Sequence, residues 1–83
     1  LALRPLSPRE RAATEGQGGL IVEQAVGPAE KAGIEPGDVL LALNGVPVQD
    51  VDQVRSLLAQ SGNTVALLIQ RGDAKLFVPV PLG

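Results

Sequence analysis

The sequence predicts a small α+β domain, and three observations carry that prediction. Ten Gly and seven Pro stand singly between short apolar runs in 83 residues, a distribution that suggests many turns joining short strands. The runs "LIVEQAV", "VLLAL" and "TVALLIQ" are aliphatic and rich in strand formers. One segment from Asp50 to about Gln60 repeats apolar residues at helical spacing, through Val51, Val54, Leu57 and Leu58. A chain of this length makes one domain, residues 1–83, with a modest core.

The elements follow in order. Leu1 to Leu6, "LALRPL", alternates at the period of a half-buried strand. Pro5 cannot donate to a ladder, so this strand belongs at an edge or ends there. Ser7 and Glu10 form a capping box, and Pro8 stands at the first helical position, so a short helix is expected from Pro8 to about Thr14. The run "EGQGG" reads as a solvated loop. Leu20–Val26 is a strand, and "GPAEKAG" is one or two helical turns stopped at Gly33. "EPGD" has the Pro-Gly order of a type II turn. Val39–Leu43 is a buried strand, Asn44-Gly45 a hairpin turn, and "VPV" a brief return strand. Asp50 caps the long helix, with Gln53 returning the reciprocal bond and Gly62 stopping it. Thr64–Gln70 and Ala74–Val80 close the chain as a hairpin around "RGD".

Composition excludes much chemistry. There is no His and no Cys, hence no ordinary zinc site and no Ser-His or Cys-His pair. Ser7, Ser56 and Ser61 have no local base, and Asp50 and Asp52 sit where acids favour a helix N-terminus. No catalytic residue, cofactor or metal is expected. A net charge of −2 with interspersed signs and one aromatic residue, Phe77, give no basis for nucleic-acid binding. No apolar run approaches the length of a membrane span. An opening Leu1 in place of Met reads as a piece of a longer protein. The patterned stretch "AGIEPGDVLLALNG" is not a phosphate loop: Gly37 leads into a strand, Asp38 adds negative charge and no Lys follows. "RGD" at 71–73 is read as a hairpin tip rather than a recognition motif.

In order and spacing, "GLIVEQAVGPAEKAGIEPGDVLLALNGVPVQDVDQV" resembles the core of a PDZ domain, with strand, A-G-h-x-x-G-D-h-I, N-G and helix in succession. It resembles most the PDZ domains that follow the protease domain in the HtrA (Deg) family of trypsin-like serine proteases. "LLIQRGDAKLFVPV" matches their closing hairpin, and "LRPLSPRER" looks like the opening of a second, C-terminal PDZ. The resemblance implies a partly open barrel or sandwich of five to six strands with one main helix and one or two short ones. It also implies the periplasm or cell envelope of a bacterium, and a role in protein quality control beside an endopeptidase.

PDZ domains bind extended peptides as an added strand on a sheet edge. By resemblance the groove lies between the 1–6 strand and the 51–59 helix, with Leu1, Ala2, Leu3 and Arg4 on one side and Val51, Arg55 and Leu58 on the other. Val54 and Leu57 turn into the core. Leu1, Leu3 and Leu58 line the pocket for the ligand's last apolar side chain, although composition alone would place them in the core. The family's carboxylate-binding loop, which precedes this strand, either lies upstream of Leu1 or is represented here only by Ala2. Val51, where many PDZ domains carry His, implies an apolar ligand residue two back from the C-terminus. Arg55 meets a ligand acid or solvent. Two functions stay open: binding of hydrophobic C-termini and unfolded segments, or assembly with neighbouring PDZ and protease domains of the same oligomer.

Overall fold

The structure, a computed structural model, describes residues 2–13 and 19–81. Leu1, the expected helix end at Thr14 and most of the "EGQGG" run lie outside them. The elements are β1 (Ala2–Pro5), α1 (Pro8–Ala13), β2 (Leu20–Gln24), α2 (Pro28–Lys31), β3 (Val39–Leu43), β4 (Val46–Pro47), α3 (Val51–Gln60), β5 (Thr64–Arg71) and β6 (Ala74–Pro81). The six strands form one antiparallel sheet in the order β1-β2-β3-β5-β6, with β4 on β3. The first half of β3 pairs with β2 and its second half with β4. β5 runs along the whole of β3 on its other side. Switching partners along one strand bends the sheet into the partly open α+β architecture that the sequence implies.

The core is aliphatic. Leu20, Leu40, Leu43, Val48 and Ile69 are at most 1% exposed, and each such side chain contributes roughly 1.5–3 kcal/mol by leaving water. Strand alternation supplies most of them. Val65, Leu67 and Ile69 point inward from β5, while Ala66, Leu68 and Gln70 face out. Phe77 takes an outward position on β6 and is 74% exposed.

Turn and cap chemistry explains most boundaries. Ser7 and Glu10 satisfy each other's amides across the start of α1, at 3.2 and 2.8 Å. The "EPGD" corner closes through the Asp38 amide to the Glu35 carbonyl, with Gly37 at φ 94. Asn44 and Gly45 both take positive φ in the β3–β4 turn.

Four details depart from the sequence reading. β2 ends at Gln24 rather than Val26: Gln24 pairs with Ala2, where β1 begins, and Glu23 bulges between Gln24 and Val22. Gln53 reaches past the helix cap to the Gln49 amide, although its own amide does bond Asp50. Ser61 ends α3 in place of Gly62: its backbone is extended and its hydroxyl donates to the Leu57 carbonyl. The Asn44 side-chain amide secures that hydroxyl at 2.8 Å, so no left-handed glycine is needed. Gly19, read as part of a solvated loop, is buried against β3.

The outer edge strand β6 has a further property. The Asn44 amide donates to the Ala66 carbonyl, and the Ala66 amide donates to the Asn44 side chain. Ala66 therefore turns its peptide groups away from β6, and its partner Pro79 turns away from β5. At a period of two, Lys75, Phe77, Pro79 and Pro81 face outward along that edge. Two of those four carry no N–H, which is the place where a sheet tolerates proline.

Candidate functional site

β1 is the other edge of the sheet, and its free side lies beside α3. Which peptide groups face outward follows from β2. The Val22 amide donates to the Asp38 carbonyl and the Val22 carbonyl accepts from the Gly37 amide, each at 2.8 Å. Both Val22 groups thus serve the β3 side, which makes Leu3–Val22 a non-hydrogen-bonded pair. Leu3 consequently offers its N–H and C=O outward, toward the space between β1 and α3. Pro5 shares that outward parity, whereas Ala2 and Arg4 face β2. An edge strand with an exposed donor and acceptor is a template for another strand.

The opposite wall comes from α3. Its residues 51, 55 and 58 share one flank by helical spacing. Val51 and Leu58 are half-buried against the core, and Arg55 is exposed. Val54, expected to turn into the core, is buried beside Leu58 and lines the pocket at the groove's end, while half-buried Leu57 packs against the core. Leu3 packs against the same core from β1.

At the end of this groove lies an apolar pocket of about 170 Å³. Buried Leu40, Leu43 and Val80 form its floor, while Val26, Pro28 and Leu58 stand at its mouth. Val26 lies two residues past Gln24, the partner of Ala2, so the mouth opens where β1 begins. Leu58 was expected there. Val26 and Pro28 were not, because they arrive through the β2–α2 connection, which no periodicity ties to the groove. Leu3 lies further along β1, outside the lining. Leu1 is outside the described residues.

Arg4, expected along the groove, is held on the opposite side of β1 by carboxylates. Its guanidinium makes two bonds of 2.8 Å to Glu10, and its Nε lies 3.9 Å from Glu23. It also donates to the Pro5 carbonyl at 3.1 Å. The Arg4 hydrogen bond, then those from Ser7, hold the Glu10 carboxyl down at about 2. A depressed acid contributes its interaction fully above its unfolded value of 4.5 and loses it as pH falls through the folded one. The Glu10 carboxyl resonance in an NMR titration should therefore move with a midpoint near 2, and Arg4→Gln should return that midpoint toward 4.5.

A second ion cluster lies away from the groove. Arg71 grips Asp38 through two bonds of 2.9 and 2.8 Å, donates to the Gly33 carbonyl at 2.8 Å and approaches Glu35 at 3.2 Å. Asp38 also accepts from the Glu35 amide. The arginine of "RGD" is thus a strut between the β5–β6 hairpin and the "EPGD" corner. Sequence reasoning missed the pair because 33 residues separate its members. A buried Asp at the head of an apolar run was the available signal, since such a charge requires a partner.

The Ser7 and Ser61 hydroxyls are committed to helix ends. Among the described residues no three acidic side chains converge as metal ligands do, and no helix is long and apolar enough to cross a membrane. An edge strand with one open side, a half-buried helix flank and an apolar pocket at one end together fit an extended, apolar-tailed peptide.

Comparison with known proteins agrees with this geometry. The family model described as "PDZ domain" matches residues 21–71. A Rhizobium meliloti protein named "Probable periplasmic serine endoprotease DegP-like" is 42% identical over 73 residues, 84% of this chain and 14% of its own length. The periplasmic serine endoprotease DegP of Salmonella typhimurium is 34% identical over 55 residues, 66% of this chain and 12% of its own. The chain thus spans about a seventh of these relatives. The crystal structure of the HtrA3 PDZ domain bound to a phage-derived ligand, FGRWV, superposes with a TM-score of 0.82 at 21% identity, covering all of this chain and 82% of that one. The match spans most of β2, the "EPGD" corner, β3, β4, α3 and β5, more than half of the chain, and on that ground this chain belongs to the PDZ domain family.

Proposed function

We propose that this domain is the non-catalytic peptide-binding module of an HtrA/Deg-type serine protease, its second PDZ, working in a bacterial periplasm. Hydrophobic C-termini and unfolded segments add as a strand to β1, with the last apolar side chain in the pocket beneath Leu58. The observation that carries this reading is the pocket's position, near the beginning of an edge strand whose Leu3 turns its peptide groups outward. The kinship of DegP-type relatives and the peptide named in the HtrA3 structure support it. Val51, half-buried opposite β1, favours an apolar residue third from the ligand's end, and Arg55 is placed to meet an acid beyond it.

An NMR titration with peptides ending in Val-Leu-Val tests the reading. Resonances of Leu3, Val51 and Leu58 should shift first, and Leu58→Asp should weaken binding by about tenfold or more, since it puts a charge into an apolar pocket. Absence of shifts at these residues, including in a version extended N-terminally by the natural sequence, would refute it.

A second reading, assembly with neighbouring protease and PDZ domains, is favoured by Phe77. This sole aromatic is 74% exposed beside Leu68 and Pro79 on the outer sheet face. It predicts concentration-dependent association with those domains that Phe77→Ser abolishes and Leu58→Asp leaves intact.

A further inference from the structure

We infer that the groove grips only a short tail, because the added-strand ladder ends one step past Leu3. This rests on the peptide-groove reading. A strand paired antiparallel to β1 finds partners only at outward-facing residues, which come every second position. Leu3 supplies a donor and an acceptor. The next outward position along β1 is Pro5, fixed by its pairing with Leu20, two residues before Val22 on β2. Pro5 has no N–H to give. Its carbonyl, the one acceptor left there, already receives the Arg4 guanidinium at 3.1 Å. Arg4 is in turn held by both Glu10 oxygens at 2.8 Å, and Glu10 by the Ser7 amide at 2.8 Å. One of that carbonyl's two lone pairs is thus taken by a group anchored to α1, which crowds the approach of a ligand amide to the other. β1 itself ends at Pro5, so no later position of the strand resumes the ladder.

The ligand residue opposite Leu3 therefore makes the last reciprocal backbone pair. Residues N-terminal to it leave the sheet without main-chain partners. The class of partner follows. The groove suits chains that expose only a few apolar residues at a free end, and a longer stretch of unfolded chain gains nothing from its additional length. Selectivity then resides in the side chains facing the Leu58 pocket and Val51, with Arg55 acting at longer range.

Peptide length and backbone N-methylation test this by fluorescence anisotropy. The competitors, which displace a fluorescein-labelled peptide of the same ending, are N-acetylated peptides ending in Val-Leu-Val, extended one alanine at a time to a heptapeptide. Wild-type affinity should be flat, within about twofold, from the tetrapeptide onward, because a net hydrogen bond is worth roughly two- to tenfold. N-methylation of the third residue from the end, opposite Leu3, should weaken binding by about threefold or more, and the same change at the fifth should have no effect. The double variant Arg4→Gln, Pro5→Val supplies both missing groups on the outward side, where β1–β2 pairing is untouched. It should gain affinity when the fifth residue is added and lose it on methylation there. A wild-type affinity that climbs at the fifth residue and falls on its methylation would overturn the inference while leaving the groove intact. Indifference to methylation at the third residue, or no binding by any member, would overturn strand addition itself and this inference with it.

Discussion

Arg71→Met is expected to remove about 2–3 kcal/mol of stability, measured by urea unfolding, a large share of the roughly 4–12 kcal/mol typical of a domain of this length. Asp38 is 2% exposed and would keep its charge with only the Glu35 amide to answer it. Breaking a buried pair on one side costs about 3–5 kcal/mol in general. The lower figure reflects Arg71, whose side chain is 40% exposed, so that water already shares its charge. Asp38→Ala should cost less, because the arginine left behind can hydrate. The pH dependence separates the two states. Burial pushes the Asp38 carboxyl up, but the Arg71 hydrogen bonds, the Glu35 amide and the Arg71 charge together bring it below its ordinary 3.8. The wild type therefore holds this contribution above pH 3.8 and loses it as pH falls through the lower folded value. With the guanidinium gone, burial dominates and the carboxyl rises. Arg71→Met should then gain on the wild type as pH is lowered through 4, and a constant gap across that window would contradict the assignment.

Gly19→Ala is the second large effect, expected at about 2–3 kcal/mol. A Cβ at this position would stand 2.9 Å from the Leu40 carbonyl oxygen and 3.1 Å from a Val39 methyl. The oxygen belongs to the backbone of β3 and cannot swing aside. The residue's φ of 156 adds a conformation that side chains disfavour. Unfolding experiments should show this loss, while Gly62→Ala, which meets nothing within 4 Å, should change stability by less than about 0.5 kcal/mol.

Most of the fold was legible because it is written in local chemistry. The capping box at Ser7, the Pro-Gly corner at 36–37 and Asn44-Gly45 each specify their geometry within four residues. The alternation of β5 and the helical spacing of α3 likewise need no distant information. What escaped depends on neighbours far along the chain. Gly19 looks flexible until β3 lies over it, and Arg71 looks like a turn residue until the "EPGD" corner arrives. Ser61 could displace Gly62 as the helix stop only because Asn44 comes from another hairpin to hold it. The candidate site was legible in the same partial way. Val51, Arg55 and Leu58 follow from one helical stripe, whereas Val26 and Pro28 reach the pocket only through the sheet. Arg4 needed Glu10 to fix its direction.

The prolines of β6 have a consequence for how the molecule behaves in a crowd. A monomer polymerises only if it can bond at two ends. Here, among the described residues, the outward positions of β6 lose their donors at Pro79 and Pro81, and the flank carries the charge of Lys75. Copies that met flank to flank would find too few bonds on that side to add a third. A strand added at β1 would therefore not make the domain a link in a fibre.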